Sequence, residues 1–296
     1  MVMQRTSFGG KIMDGILVTV ILNTYDRPDE LHRALSSVVN QTYKNLEILV
    51  IDGKGLKETK EIVRRFRARD NRIVHWVQQP NADKIGMYGN VQGARNFGLS
   101  KANGKYVAML DDDDYWRLDK IELQLFYAEI TGAALTSCHM NVYDNGFSHV
   151  DKPKLRPKYE DLLKSFNMSC TSSYFLNKKV LERIGAFDES LRSMHEYDIA
   201  LKLARRGFKI IVVPQALMVR KCDNINNRSF YYIKIAEIFD LYRLYGKDMV
   251  KYLGVKGLAF NAIKSLLLIS LFLSGFIIKD RIWKIIFRLK EMYQKE

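Results

Sequence analysis

The stretch Gly104-Lys-Tyr-Val-Ala-Met-Leu-Asp-Asp-Asp-Asp-Tyr-Trp116 decides the architecture, because a short apolar run passes directly into four consecutive aspartates. Tyr106–Leu110 has the composition of a strand buried on both faces. The aspartates at its end are electrostatically costly, since carboxylates this close repel and each resists ionisation without a counter-charge. A divalent cation is the natural remedy, because hard cations take carboxylate oxygens. A metal held there would bind a diphosphate and stabilise it as a leaving group. The plain alternative is a solvated acidic turn or a helix cap ahead of Leu118–Thr131. The position at the end of a buried strand favours the metal.

Outward from this strand, helices and strands alternate. Upstream, Ile16–Leu22 and Leu46–Ile51 are further apolar, β-branched strands, and Ile73–Val77 is a third. Between them, Leu31, Leu35, Val38 and Val39 recur at helical spacing after Pro28, a residue suited to a helix start. Glu58–Arg69 reads as a charged helix carrying Ile62, Val63 and Phe66 inward, and Asn90–Ala102 as a helix closed by Asn103-Gly104. Such alternation predicts a mostly parallel sheet covered on both faces. Ligands of such sheets bind beyond the carboxyl ends of the strands. Thr24-Tyr25-Asp26, Asp52 and the aspartate run are placed there together. Downstream, Asp144–Asp161 reads as a polar loop, and Met168–Tyr174 as a strand in which Cys170 packs. Trp116 reads equally as a platform for a sugar ring or as a core residue. His75, His139 and His149 have no metal-ligand spacing. The α/β pattern gives way to helices near Asn224–Arg228.

With 296 residues and 47% hydrophobic content, the chain can bury a sizeable core. Cys138, Cys170 and Cys222 are widely separated, which suits a reducing compartment better than a disulfide framework. No apolar stretch before Ile16 is long enough for a signal peptide. The net charge of +14 favours anionic surroundings. Part of it lies in the tail: Lys251–Glu296 carries nine Lys/Arg against three acids.

Residues from about Leu17 to Pro214 resemble the family 2 glycosyltransferases. The resemblance is carried by Val18-Thr-Val-Ile-Leu-Asn-Thr-Tyr-Asp-Arg-Pro28, Leu35-Ser-Ser-Val-Val-Asn-Gln-Thr-Tyr43, Leu46-Glu-Ile-Leu-Val-Ile-Asp52, Ala94-Arg-Asn-Phe-Gly98 and the strand with its aspartates. It implies a GT-A, Rossmann-like α/β fold and an inverting, nucleotide-sugar-dependent enzyme. The domains are then a tail (1–15), a catalytic domain (16–224) with a nucleotide-sugar half (16–116) and an acceptor half (117–224), and a helical, membrane-associating extension (225–296). By resemblance, Thr24 and Tyr25 line the nucleoside pocket, Asp52 bonds the base, and Asp113 is the ligand of Mn2+ or Mg2+. Asp111 contacts the ribose or the metal. Arg27 and Asp112 join the donor-binding set, and Arg95 neutralises phosphate, orients the acidic loop, or forms a structural ion pair. The chain departs from the family after Asp52, where Gly-Lys-Gly replaces an acid and a serine, so donor selectivity is open; a UDP-sugar is the first expectation.

Ile184-Gly-Ala-Phe-Asp-Glu189 resembles a conserved family turn. His195-Glu-Tyr-Asp198 aligns with the motif that supplies the family's general base, with Glu196 where an Asp is usual. An inverting transfer needs a carboxylate to take the acceptor's proton. Glu196 is the first candidate, Asp198 the rival, and His195 an orienting neighbour; helix capping is the plain role for either acid.

In the tail, Leu258–Ile278 is apolar but interrupted by Lys264, leaving 14 uninterrupted residues, Ser265–Ile278. A spanning helix needs roughly 20. Ile282, Ile285, Ile286, Leu289 and Met292 then recur opposite Lys284 and Arg288, a basic amphipathic pattern suited to an anionic leaflet. The expected partners are a nucleotide-sugar donor, a glycan or lipid-linked acceptor and an anionic membrane surface at the cytoplasmic side. Attachment is peripheral or monotopic, and a packed helical pair or homo-oligomer contact is the alternative use of these helices. A nucleotidyltransferase would carry a glycine-rich loop after its first strand, which Thr24–Pro28 is not. A nucleic-acid-binding module would leave the aspartates and the apolar tail unexplained, and none is expected as partner.

Overall fold

Val18–Thr24 (β1) has every side chain buried, and it forms the spine of the sheet. A computed structural model describes residues 13–77, 91–144, 147–165, 168–191, 194–221, 240 and 242–254. After β1 come Pro28–Val39 (α1), Leu46–Asp52 (β2), Lys57–Arg67 (α2), Ile73–Val77 (β3), Val91–Lys101 (α3), Tyr106–Asp111 (β4) and Tyr115–Trp116 (β5). The second half adds Lys120–Thr131 (α4), Leu135–Asp144 (β6), Phe147–Asp151 (β7), Tyr159–Lys164 (α5), Phe175–Asn177 (β8), Lys178–Arg183 (α6), His195–Arg205 (α7) and Ile210–Lys221 (β9).

The strands form one sheet in the order β3-β2-β1-β4-β8-β6-β9-β5, with β7 on β6. The ladders β3–β2, β2–β1, β1–β4 and β6–β9 are parallel, and the shorter β4–β8, β6–β8 and β5–β9 ladders are antiparallel. Helix α1 turns Leu31, Ala34, Leu35 and Val38 into the core, as its spacing requires. Gly98 of α3 lies directly over β1: a Cβ there would stand 2.6 Å from Ile21 Cγ2. Gly104 is tighter, since its Cβ would meet the backbone of Thr19, Leu17 and Tyr106 within 2.8 Å. These two glycines let α3 and the turn after it approach the sheet.

Two elements differ from expectation. Phe147–Asp151, read as loop, is an antiparallel strand on β6. Its residues Ser148, His149 and Val150 are exposed, and a strand wet on its face lacks the apolar run that marks a buried one. Met168–Tyr174 is not a strand; Thr171–Ser173 is a short 3-10 turn, and the strand begins at Phe175. Hydroxyl-to-backbone bonds compete with strand pairing here, with Ser169 Oγ donating to Cys138 O at 2.8 Å and Ser173 Oγ to Cys170 O at 2.7 Å.

The chain divides into two units. One comprises Met1–Lys158, Asn167–Glu189 and His195–Asp223; the other comprises Tyr159–Phe166, Ser190–Met194 and Asn224–Glu296. In the second, Tyr159 hydrogen-bonds Asp248 and its ring meets Tyr252 edge-on at 5.5 Å. Among the described residues no helix is long and apolar enough to cross a membrane. The apolar run Ser265–Ile278 and the amphipathic stretch after it lie outside the described residues.

Candidate active site

The parallel register carries the ends of β1, β2 and β4 to one edge. Thr24 pairs with Asp52, and Asn23 pairs with Asp111. The three segments expected to converge are therefore brought together by backbone pairing, within the first unit.

Helix α3 supplies the support, and its Ala94–Gly98 motif divides the work. Arg95 Nη2 donates to both carboxylate oxygens of Asp111, at 2.7 and 2.9 Å. The Arg95 side chain is only 2% exposed, and its Nε and Nη1 have no hydrogen-bond partner. Asn96 Nδ2 donates to Phe187 O and Glu189 Oε1, both at 2.9 Å, and its Oδ1 accepts Phe187 N–H. The Gly185–Glu189 turn is thereby tied to α3. Burial opposes ionisation of Asp111, but the Arg95 guanidinium outweighs it and holds the carboxyl below its usual range.

The other three aspartates have separate surroundings. Asp112 faces the β1 turn: its Oδ2 accepts Tyr25 N–H at 3.1 Å, and Arg27 approaches Oδ1 at 3.5 Å. Asp113 points outward, 39% exposed, and pairs with Arg27. Asp114 is buried beside the Cys170 thiol, which donates at 3.7 Å. Burial and then the Asp113 charge push Asp112 up to about 7 and Asp114 up to about 8. Burial and the Asp111 charge raise Asp113 as well. Ser172 Oγ accepts Asp111 N–H at 3.1 Å from below the loop. Arg220 of β9 contributes positive potential at Asp111, Asp113 and Asp114.

Among the described residues, no three His, Cys, Asp or Glu side chains are arranged to hold a metal ion. The donor set nonetheless fits Mn2+ or Mg2+ in another way. Mg2+ is commonly held by one or two carboxylates plus substrate phosphates. Asp113, partly exposed and raised by its neighbours, is a hard oxygen donor of that kind.

Asp52 is nearly spent. It is 1% exposed, its Oδ1 accepts the N–H groups of Lys54 and Gly55 at 3.0 and 2.7 Å, and His75 Nε2 lies 3.2 Å from Oδ2. Burial opposes its ionisation, but the His75 and backbone bonds win and lower it. Tyr25 is 39% exposed, with Lys54 Nζ 5.8 Å from its ring centroid. Trp116 is a core residue: its Nε1 donates to Ser172 O at 2.8 Å, and Lys120 Nζ sits 4.0 Å over its ring.

At the start of α7, His195 Nε2 lies 3.3 Å from Glu196 Oε2. Burial and then the Arg95 charge depress His195 to about 4, so the ring is neutral at pH 7; Asp111 also acts on it electrostatically. The start of α7 thus lies within electrostatic reach of Asp111 and Arg95. Glu196 keeps 23% of its side chain exposed, whereas Asp198 is 1% exposed and paired with Lys202 at 2.6 Å.

The family model for glycosyl transferase family 2 matches residues 19–185, from β1 through the aspartate loop to the Ile184 turn. The chain belongs to glycosyl transferase family 2. This glycosyltransferase is 30% identical over 190 residues to the E. coli enzyme described as UDP-Glc:alpha-D-GlcNAc-diphosphoundecaprenol beta-1,3-glucosyltransferase WfaP, covering 63% of this chain and 69% of that one. Solved structures show the same GT-A fold at low identity. S. aureus TarS 1–349, in complex with UDP-GlcNAc, superposes with a TM-score of 0.59 at 17% identity, covering 77% of this chain and 67% of that one. A longer TarS chain is covered to 40%. The mannosyltransferase PcManGT of Pyrobaculum calidifontis, in complex with GDP-Man and Mn2+, gives 0.57 at 17% identity over 94% of this chain and 82% of that one.

Three residues near these aspartates carried no signal in motif spacing: Asn23, Ser172 and Arg220. Asn23 alone could have been suspected, as a polar amide near the end of an otherwise apolar strand.

Proposed function

We propose that this glycosyltransferase moves a sugar from a nucleoside-diphosphate sugar, UDP-sugar first, to a hydroxyl of a lipid-linked saccharide, with inversion and Glu196 as general base. The observation that carries this is the difference between the two acids of α7. Glu196 keeps 23% of its side chain exposed, with His195 Nε2 at 3.3 Å, while Asp198 is buried and paired with Lys202. In the step proposed, Glu196 takes the acceptor hydroxyl's proton as its oxygen attacks the anomeric carbon. The bond from that carbon to the diphosphate oxygen breaks, and the nucleoside diphosphate leaves with the electron pair.

Tyr25 offers a face for the base, Asp111 a carboxylate for the ribose or metal, and Arg95 two unpartnered donors beside it. Asn23 joins this set: it is 8% exposed, and both its amide atoms lack partners. A metal ion held by Asp113, with Asp111, would neutralise the diphosphate. The WfaP name supports the UDP-sugar and the diphosphoundecaprenol-linked acceptor, and the PcManGT complex supports Mn2+. The basic, apolar tail supports attachment to an anionic membrane surface at the cytoplasmic side.

The test is transfer from UDP-glucose and UDP-GlcNAc to a polyprenyl-diphosphate saccharide, with Mn2+ or EDTA. Glu196→Gln should lose at least about 100-fold in kcat, within the span of general-base catalysis, while Asp198→Asn should mainly lower stability. Full activity in Glu196→Gln would overturn the assignment of the base. Pelleting of the full chain with phosphatidylglycerol vesicles tests the membrane reading; its absence would sink it.

A further inference from the structure

Gln92 lies one residue into α3 and is 5% exposed. Its Nε2 is 2.8 Å from His195 Nδ1. With the amide nitrogen of Gln92 facing the ring, Nδ1 of His195 is the acceptor. A neutral imidazole carries one proton, and the only nitrogen left for it is Nε2. That nitrogen is the one 3.3 Å from Glu196 Oε2. Gln92 therefore donates to a ring 103 residues away in sequence, and the protonated Nε2 of that ring lies 3.3 Å from the Glu196 carboxylate. Phe187 lies edge-on to the ring, with the centroids 6.4 Å apart. Arg95 and Asp111 are the charged groups facing the ring from α3 and β4, and Glu196 is the third. On the far side of Glu196, Tyr174 Oη donates to its backbone carbonyl at 2.9 Å, fixing the main chain at that residue.

We propose that Gln92 is a positioning residue that selects the Nε2–H tautomer of His195, so that the imidazole donates to Glu196 and holds its carboxylate toward the acceptor. This rests on the reading of Glu196 as base. The logic is that of any imidazole whose second nitrogen is orienting a functional carboxylate: the hydrogen bond at one nitrogen decides what the other can do. Without Gln92 the proton is free to move to Nδ1, and Nε2 would then face the carboxylate with a lone pair, a repulsive contact that turns Glu196 away.

The experiment is long-range 15N–1H correlation NMR on the labelled full chain at pH 7, with the His195 signals assigned by their loss in His195→Gln. The wild-type spectrum should show the Nε2–H tautomer alone; the Nδ1–H form or an imidazolium would overturn the proposal. Gln92→Met should give a tautomer mixture, and an unchanged tautomer there would also overturn it. If Gln92→Met fails to fold, the wild-type spectrum still decides. In transfer assays Gln92→Met should lower kcat roughly 10-fold, the scale of one hydrogen bond to a charged group, with the donor KM unchanged. His195→Gln, which keeps an N–H donor, should exceed His195→Leu. A fall in stability with kcat intact would make Gln92 merely structural. If Glu196→Gln keeps full activity while the tautomer is as stated, the base assignment fails and the tautomer assignment stands.

Discussion

Arg95 reaches from α3 to Asp111 at the end of β4, donating from one nitrogen to both carboxylate oxygens at 2.7 and 2.9 Å. The guanidinium is buried, so neither charge can be removed without stranding the other. Arg95→Met should destabilise the fold by about 3 kcal/mol, the usual scale for breaking a buried pair. Arg95→Met with Asp111→Asn should cost less than the two single changes added. Denaturant midpoints of the four proteins check this; strict additivity would mean that the pair is not coupled.

The aspartate run should come apart functionally, because its members face different partners. Asp112 supports the Tyr25 backbone, whereas Asp113 points outward. Asp112→Ala removes the acceptor for Tyr25 N–H and should raise the donor KM by about 10-fold, equivalent to one hydrogen bond, while activation by Mn2+ persists. Asp112→Asn keeps an acceptor oxygen and should stay close to wild type. Asp113→Ala should abolish the response to Mn2+. Metal titrations of the three variants separate these roles, and equal losses in all of them would contradict the division.

Gly98 and Gly104 predict an ordering of stabilities. A Cβ at Gly98 meets only side-chain atoms, of Ile21 and Ile51. A Cβ at Gly104 meets main-chain atoms of three residues, none of which can move alone. Gly98→Ala should cost about 1–3 kcal/mol, as overpacking does, and Gly104→Ala should cost more. Thermal unfolding of both variants measures the difference.

Much of the β1–β4 region was legible from the sequence because local pattern and tertiary placement agree there. Apolar strands ending in Asp52 and Asp111 have to be buried and parallel, and parallel register carries their ends to one edge. The region after β5 was less so: an exposed strand such as Phe147–Asp151 lacks the apolar run, and the Ser169–Ser173 hydroxyls break what looks like a strand. Contacts between distant side chains had no local signature at all. Nothing near Gln92 announces a bond to His195, and nothing near Asp52 shows that His75 will share its carboxylate.

Lys120 yields a pH prediction. It is fully buried, with Nζ bonded to Gln124 Oε1 at 2.6 Å, and burial lowers it to about 8. The unfolded chain holds this proton up to about pH 10.4. Between these values the unfolded state binds more protons than the native state, so stability should rise with pH from about 8 to about 10.4 and be lowest, for this group, below that window. Lys120→Met removes that rise. Unfolding free energies measured from pH 7 to 10.5 in both proteins check it; parallel curves would show that Lys120 does not titrate there.

Asn23 should reveal a conflict between stability and binding. It stands on β1 in register with Asp111, and Ile21, two residues earlier on the same face, packs under Gly98 of α3. Its amide therefore lies on the face that carries Arg95. An unpartnered buried amide costs about 1–3 kcal/mol. Asn23→Val removes that cost and suits a strand, so the variant should be more stable by roughly 1 kcal/mol. If the amide serves the donor, the same change should weaken UDP-sugar binding by about 10-fold, the worth of the hydrogen bonds it would have made. Calorimetric titration with UDP, beside a melting curve, reads both quantities from one preparation. Higher stability with unchanged affinity would remove Asn23 from the donor site, and lower stability would mean that the amide is satisfied in the folded protein.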